Sequence, residues 1–181
     1  MPTGPEDILD FWFHEVGAER WFVEDQKLDE EIRQRFLETH EKAVKGELKA
    51  WEETPEGALS LLLLLDTFPR RMFRGTARAF ATDRMALELA RISIIKHFDD
   101  RIDRSFKLFF YLPFSHSENQ GDQRLALYYI RERTKNSDWI AAAEYNQHVI
   151  FCFGRFPERN AALGRESTAE EAAYLSQCGG T

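Results

Sequence analysis

An arginine-rich segment, DTFPRRMFRG, follows a strongly apolar run and contains no lysine. It carries Asp66 with Arg70, Arg71 and Arg74. Arginine binds a carboxylate or phosphate through two parallel hydrogen bonds and keeps its charge when it is partly buried. The segment also precedes a predicted helix start, where free backbone N–H groups favour an anion. These residues are therefore candidate ligand-binding residues for an anion, and ion pairs with the protein's own acids are the alternative.

A second segment, FGRFPERN, has similar composition and ends another apolar run. It carries Arg155, Arg159 and Asn160 around a Phe-Pro pair. Because the residue before a proline is pushed out of the α region, Phe156 is expected to follow the end of a buried helix. The two segments do not align beyond Phe-Pro-X-Arg, so we interpret them as two helix ends rather than a repeat. The three polar residues are further ligand-binding candidates.

A polar loop, SHSEN, follows an aromatic stretch and supplies groups for acid–base chemistry. His116 is a candidate general base, and Glu118 is a candidate for orienting its ring. Ser117 and Gln120 have the spacing of a capping box, which predicts a helix start rather than a nucleophile. His-X-Glu supplies two ligands, whereas a catalytic zinc site normally needs three from the protein. No metal site is predicted.

His148 is the third candidate catalytic residue. It shares a predicted helix face with Cys152 and Arg155, because positions i, i+4 and i+7 lie on one side of an α-helix. A hydrogen-bonded core histidine is the alternative for His148. Apolar neighbours disfavour the thiolate of Cys152, so we expect this cysteine to be a core residue.

The elements that must position these residues are helices, since helical periodicity runs through nearly all of the chain and no sustained alternation predicts a strand. The expected fold is all-α, with about eight helices joined by short turns in an antiparallel array. No 34-residue tetratricopeptide repeat is evident. The predicted helices lie at Pro5 to Phe13, Asp25 to about Lys45, Thr54 to about Phe68, Asp83 to Ile95, Asp103 to Pro113, Ser117 to about Lys135, Trp139 to Arg155, and Thr168 to Cys178.

Capping residues give the predicted helix ends. Thr54 followed by Pro55 predicts the start of a helix that is apolar all round and therefore central. Pro113 is expected to end the aromatic helix. The remaining predicted caps are Thr82 or Asp83, Ser117, Ser137 or Asp138, and Thr168 in a capping box with Glu171.

The composition bounds the class of protein. A chain of 181 residues with 43% apolar residues and 15 Phe can fill one ordinary core, so we expect a single helical domain over residues 1–181. Its net charge of −7 argues against binding nucleic acid through bulk charge. No signal peptide and no membrane span are predicted. Cys152 and Cys178 form no disulfide framework, which fits a cytoplasmic protein. Trp21 and Trp51 would serve either a homodimer interface or the core.

Three blocks of the sequence resemble the bacterial family called domain of unknown function 924. The blocks are LDTFPRRMFRGTARAFATD, FYLPFSHSEN and HVIFCFGRFPERNAALGRESTAEEAAYL. The resemblance runs from about residue 8 to residue 175, and Thr67 and Glu158 depart from the residues expected in many relatives. It implies a tetratricopeptide-like α-α superhelix and implies no activity.

The resemblance favours convergence of the three polar motifs on one cleft with aromatic walls. The first functional hypothesis is a helical-repeat-like module that binds a small anionic ligand or a peptide carboxylate. The alternative is a hydrolase-type enzyme acting on a phosphate or acyl compound, with His116 or His148 as base. A third hypothesis makes the motifs purely structural, with their arginines locking helices together.

Overall fold

The structure is a computed structural model that describes residues 3–178, without the side chain of Cys178. Across this part of the chain it contains helices and no strand, as the sequence predicts. The α-helices are α1 (Pro5–Asp10), α2 (Gln26–Val44), α3 (Pro55–Leu62), α4 (Phe68–Met72), α5 (Asp83–Ile95), α6 (Leu108–Ser115), α7 (Gln120–Arg133), α8 (Ser137–Phe153) and α9 (Ala169–Cys178).

Two π-helical segments extend these helices. Phe11–Val16 continues α1, and Leu63–Thr67 joins α3 to α4. When α3 and α4 are counted as one continuous helix, the described residues form eight, in agreement with the sequence-based estimate. The short 3₁₀ segments are Ala18–Arg20, Lys49–Glu53, Ala77–Phe80, Asp99–Arg101 and Pro157–Arg159.

The continuous helix formed by α3, its π-helical extension and α4 is the centre of the molecule. Every residue from 58 to 66 is at most 4% exposed. The helix packs against α1, α2, α5 and α6, so its leucines are covered on every side, as the apolar pattern predicts. Its apolar run ends at Asp66, and the helix therefore carries one carboxylate deep into the interior.

The predicted caps are right at two helices and wrong at two others. Thr54 accepts a hydrogen bond from Gly57 N, and Thr168 and Glu171 form the reciprocal capping box. The caps of α7 and α8 are instead Asn119 and Asn136, whose side chains accept two backbone N–H bonds each. Asparagine is at least as good a cap as serine, and these two residues stand one or two positions from the predicted caps. Thr82 occupies the predicted N-cap position of α5, but its hydroxyl donates to Leu65 O and makes no capping bond.

Two other local predictions need correction. Pro113 lies inside α6, which ends two residues later at Ser115. A proline in the last turn interrupts little of the helix, because few residues follow it. In α8, the segment from Val149 to Phe153 is not covered on every side. Val149 and Ile150 are buried, whereas Phe151 is 75% exposed.

Trp21 is 4% exposed and packs edge-on against Phe13 and Phe109. Its indole N–H donates to Trp12 O. Of the two alternatives for Trp21, a dimer interface or the core, the structure places it in the core. Trp51 is half-buried and also packs against the core. The segment that carries Trp21 runs from α1 to α2 and lies beside α4.

Gly57 lies in the first turn of α3 against the preceding 3₁₀ segment. A Cβ added there would stand 2.3 Å from the carbonyl oxygen of Trp51 and 2.9 Å from Thr54 Oγ1. We expect Gly57→Ala to lower the free energy of unfolding by about 2 kcal/mol, because backbone must move to relieve this contact. Urea denaturation measures the change.

Gly4→Ala is the matched control for this prediction. A Cβ at Gly4 would meet nothing nearer than Asp7 Oδ2, at 3.7 Å. The free energy of unfolding of this control should fall by about 1 kcal/mol or less, because Gly4 is the N-cap of α1 and alanine is a poorer cap than glycine. A Gly57→Ala variant as stable as this control would contradict the close packing of Trp51 on α3.

Candidate functional site

Five charged or polar side chains meet where the central helix ends. Asp66 is the innermost, with a side chain 2% exposed. The ring Nδ1 of His116 lies 2.9 Å from each of its carboxylate oxygens, and Arg70 Nη1 lies 3.1 Å from Oδ1. Asp83 and Arg159 complete the group, which we call the Asp66 cluster. A carboxylate buried so deeply is held by an arginine and a histidine together.

Arg70 and Arg159 share a second acid, Asp83. Arg70 donates two hydrogen bonds to its carboxylate, at 2.8 and 2.9 Å. Arg159 donates to Asp83 Oδ2 at 3.3 Å and to the carbonyl oxygen of His116 at 2.9 Å. The two Phe-Pro-X-Arg segments and the histidine loop therefore meet at one place.

Two local backbone features orient these side chains toward one another. Asp66 lies in the π-helical segment, and such segments are frequent at functional sites because they shift the direction of the following turn. Arg70 follows one turn later on α4. At the other segment, Gly154 ends α8 with a φ of +69°, a left-handed conformation that favours glycine. The chain reverses there and brings Arg159 back toward α6.

The protonation states follow from burial and from the neighbouring charges. Burial raises the pKa of Asp66, but Arg70 and His116 outweigh it and hold that pKa below its usual range. Burial lowers the pKa of His116, Arg70 lowers it further, and Asp66 offsets them only in part. At neutral pH the aspartate is therefore ionised and the histidine neutral. Since a carboxylate only accepts, the ring proton lies on Nδ1, which leaves Nε2 with a lone pair.

His116 also forms part of the wall between two cavities. The aromatic cavity has a volume of about 570 Å³. Its lining is Ala18, Trp21, Phe22, Leu108, Leu112, Ser115, His116, Ile130, Asn136, Asp138, Trp139, Ala142, Ala143 and Asn146. The arginine cavity, of about 170 Å³, is lined by Trp21, Phe22, Val23, Glu24, Thr67, Arg70, Arg71, Arg74, Leu112 and His116. The histidine thus borders an aromatic-walled space and a second space lined by three arginines.

Arg71 and Arg74 lie in the arginine cavity but outside the Asp66 cluster. Arg71 is 7% exposed and donates to Asp29 Oδ1 at 3.0 Å. Arg74, with a side chain 44% exposed, donates to Asp29 Oδ2 and to Glu24. Each arginine of this cavity therefore already has a carboxylate partner, and the charges nearly cancel.

Glu118 does not orient His116, contrary to the sequence-based expectation. Its carboxylate accepts two hydrogen bonds from Arg165, at 2.8 and 3.0 Å, and one from Phe156 N. The residue that holds the ring of His116 is Asp66. Closeness in the chain favoured Glu118, whereas the fold supplies the acid from fifty residues away.

Arg155 and Asn160 form a separate group around Glu171. Arg155 donates to both carboxylate oxygens of Glu171, at 2.6 and 2.8 Å, and Asn160 donates to it at 3.1 Å. Arg155 holds the pKa of Glu171 at about 2, with help from the N–H of Thr168 and from Asn160. These residues attach the start of α9 to the loop after α8 and are not part of the Asp66 cluster.

His148 is exposed and stands apart from the cluster. It lines a groove between α7 and α8, with Phe151 and Arg124 among its neighbours. Cys152 is also exposed, with Sγ 3.5 Å from His148 Nε2. The core alternative for His148 and the core expectation for Cys152 are therefore both wrong, because the face that these residues share points outward.

Three acidic or basic partners were not among the sequence-based candidates. Asp83 was detectable as the one acid between five arginines of the segment from residue 70 to residue 84. Arg165 lies in the third family-like block. Nothing in the sequence marks Asp29 as a partner of the arginines, since it is one of several acids on the polar side of α2.

The described part of the chain contains no group of three or more His, Cys, Asp or Glu side chains arranged to hold a metal ion. Between residues 3 and 178 no helix is both long enough and apolar enough to cross a membrane.

The fold and the cluster define an all-helical protein with an Asp–His–Arg centre, built around the buried Asp66, beside an aromatic cavity. The family model of a bacterial protein of unknown function, DUF924, matches residues 8–179, and the chain belongs to this family. A solved structure of a protein of unknown function from Agrobacterium tumefaciens is similar, with 39% sequence identity and a TM-score of 0.91. The match covers 96% of this chain and 97% of the other. Comparison with curated proteins gives no significant match.

Proposed function

We propose that this protein is an acid–base enzyme in which His116 acts as general base on a substrate bound in the aromatic cavity. One observation carries the proposal: the ring of His116 is fixed through Nδ1 by the buried Asp66, while the same residue lines the cavity. Among the described residues no hydrogen bond engages Nε2. A neutral imidazole with a free lone pair is the species that a general base requires.

Asp66 supplies the second part of this mechanism. Its carboxylate fixes the tautomer of His116 and stabilises the imidazolium that forms when Nε2 takes up a proton. Because Asp66 is buried and ionised, its charge acts at short range in a site from which water is largely excluded. It is a positioning residue, since it acts through the histidine.

The reaction that best fits this site is hydrolysis of an acyl compound with water as the nucleophile. Ser115 lines the cavity, but its hydroxyl is buried and accepts a hydrogen bond from Asn146 at 3.0 Å. Water bound at Nε2 would lose its proton to the histidine as its oxygen adds to the carbonyl carbon. The imidazolium then returns that proton to the leaving group as the bond between this group and the carbonyl carbon breaks.

Binding of a small anion or peptide carboxylate is the second candidate function, and Arg74 is the residue that favours it. With 44% of its side chain exposed at the arginine cavity, it is the arginine there most open to a ligand. The geometry supports this function less well, because a ligand must compete with Asp29 and Glu24 for the guanidinium.

In the purely structural alternative, Arg159 joins α5 to α6 and does nothing more. Arg159→Ala would then lower the melting temperature without changing the binding of any ligand. In the enzyme proposal the same variant also loosens the loop that carries His116, since Arg159 donates to its carbonyl oxygen.

The test is a hydrolysis screen with activated acyl esters on the native chain and on His116→Asn. Asparagine can still donate a hydrogen bond to Asp66 but cannot take up a proton. We expect kcat/KM to fall by about 10²- to 10⁴-fold, the usual contribution of a general base. In the native chain kcat/KM should fall at low pH, with a midpoint below the ordinary histidine value of about 6.5.

His148→Asn is the matched control, because it removes an exposed histidine that lies outside the cluster. It should retain full activity. Esterase activity that survives in His116→Asn, or that is lost equally in the control, would refute His116 as the base. Denaturation of both variants shows whether a loss of activity reflects a loss of folding.

A further inference from the structure

The walls of the aromatic cavity indicate which part of a substrate it receives. Its lining includes Trp21, Phe22 and Trp139 with several aliphatic side chains from α6, α7 and α8. A volume of about 570 Å³ lies within the range of cavities that enclose small organic ligands. Such walls stabilise an apolar group by removing its surface from water.

The charges of the lining select against an anion. Asp138 is the carboxylate among the lining residues, and no lysine or arginine is among them. His116 is neutral at neutral pH because burial and Arg70 lower its pKa. A bound carboxylate would therefore meet a like charge without a cationic partner, whereas a neutral apolar group would not.

The polar side chains of the lining are largely engaged with the protein itself. Asn136 Oδ1 accepts from the backbone N–H groups of Asp138 and Trp139. Asn146 donates to Ser115 Oγ. These bonds occupy Asn136 Oδ1 and Asn146 Nδ2 without a ligand, so these two atoms shape the cavity more than they attract polar atoms.

We infer that the aromatic cavity is an acyl pocket: it binds the neutral, apolar acyl group of an ester substrate and places the carbonyl carbon at His116. This inference rests on the proposed function and adds the substrate class to it. The arginine cavity shares Trp21, Phe22, Leu112 and His116 with the acyl pocket. An acyl compound with its carbonyl at the shared histidine therefore directs its leaving group toward the arginine cavity.

Ala142 provides a way to test the depth of the pocket. It lines the pocket from α8, a different element from the α6 end that carries His116. The residue itself is exposed, and leucine is a good helix former, so Ala142→Leu adds volume without disturbing the core. Ala141 is the neighbouring exposed alanine on the same helix and does not line the pocket, which makes Ala141→Leu the matched control.

The experiment measures binding of unreactive primary amides, from acetamide to octanamide, through the change in intrinsic tryptophan fluorescence, to which Trp21 and Trp139 in the cavity wall contribute. Affinity should rise about fourfold per added methylene until the pocket is filled, as expected for burial of each CH₂ group. Ala142→Leu should weaken octanamide at least tenfold and leave acetamide nearly unchanged. Ala141→Leu should bind both amides as the native chain does. Octanoate should bind more weakly than octanamide.

The outcomes separate this inference from the proposed function. Two results together support the acyl pocket: amide binding that depends on chain length, and a loss of this binding in Ala142→Leu but not in Ala141→Leu. They support it even if no ester is hydrolysed and the enzyme proposal fails. Binding that is independent of chain length, or absent for octanamide, overturns the acyl pocket even if His116-dependent hydrolysis is observed. Equal effects of the two alanine variants overturn it as well. Octanoate that binds more tightly than octanamide also overturns it and favours an anion site.

Discussion

Asp66→Ala is expected to lower the free energy of unfolding by about 3–5 kcal/mol, the usual cost of removing one partner from a buried ionic group. Asp66 is the innermost acid of its cluster, with a side chain 2% exposed. Without it, Arg70 and Arg159 are left to share Asp83 as their carboxylate partner. His116 also loses the acceptor for its Nδ1–H. Guanidinium denaturation measures the loss.

Asp10→Asn is the control for this prediction, because its side chain is 74% exposed. It should change the free energy of unfolding by less than about 0.5 kcal/mol. Asp66→Asn separates charge from volume, since it keeps the size of the side chain and removes its charge. If Asp66→Ala unfolds like the control, the cluster is not the buried charge network that its distances indicate.

Arg71→Ala is expected to cost about 3–5 kcal/mol, because it leaves three backbone carbonyls without this donor and leaves the largely buried Asp29 with Arg74 as its remaining arginine partner. Arg71 is 7% exposed and donates to Asp29. Its other terminal nitrogen donates to the carbonyl oxygens of Arg20, Trp21 and Val23, at 2.8 to 3.2 Å. One guanidinium thus holds the segment between α1 and α2 against α4.

The same variant should also abolish amide binding in the aromatic cavity, because Trp21 and Phe22 on this segment form part of its wall. Arg74→Ala is the control. Arg74 also pairs with Asp29 but is half-exposed, so its removal should cost about 1 kcal/mol or less. Arg71→Lys tests the shape of the donor, since one ammonium cannot reach all of the acceptors. A loss of stability no larger for Arg71→Ala than for Arg74→Ala would refute the assigned role.

The sequence carries most of the information about the fold. The leucine block after Thr54 is apolar in every direction, and that pattern requires a central helix whatever surrounds it. The long amphipathic stripe of α2 likewise predicts the face that Ile32 and Phe36 bury. The helix caps were harder to place, because Ser117 and Asn119 both satisfy the same local rule. In the structure Asn119 accepts from Gly121 N, whereas the hydroxyl of Ser117 donates to Asp122.

The residue types of the site could be predicted from the sequence, but the contacts between those residues could not. The types of Asp66, Arg70 and His116 indicate charge and proton transfer, yet residues 66 and 116 meet only through the packing of α6 beside the central helix. Glu118 was a poor choice as partner for that reason. The core interpretation of His148 failed for a different reason. Periodicity gives the helix face on which His148 lies, but the apolar residue Phe151, which is exposed, made that segment look like part of the core.

The late position of Arg159 in the chain determines when the Asp66 cluster becomes complete during synthesis. Arg159 lies well after the rest of the cluster in the chain and completes it by reaching Asp83 and the carbonyl of His116. A nascent chain still held on the ribosome short of this residue contains Asp66 and His116 but not the arginine that joins Asp83 to the carbonyl of His116. The Asp66 cluster is therefore completed late in synthesis, when the segment after α8 emerges and folds back.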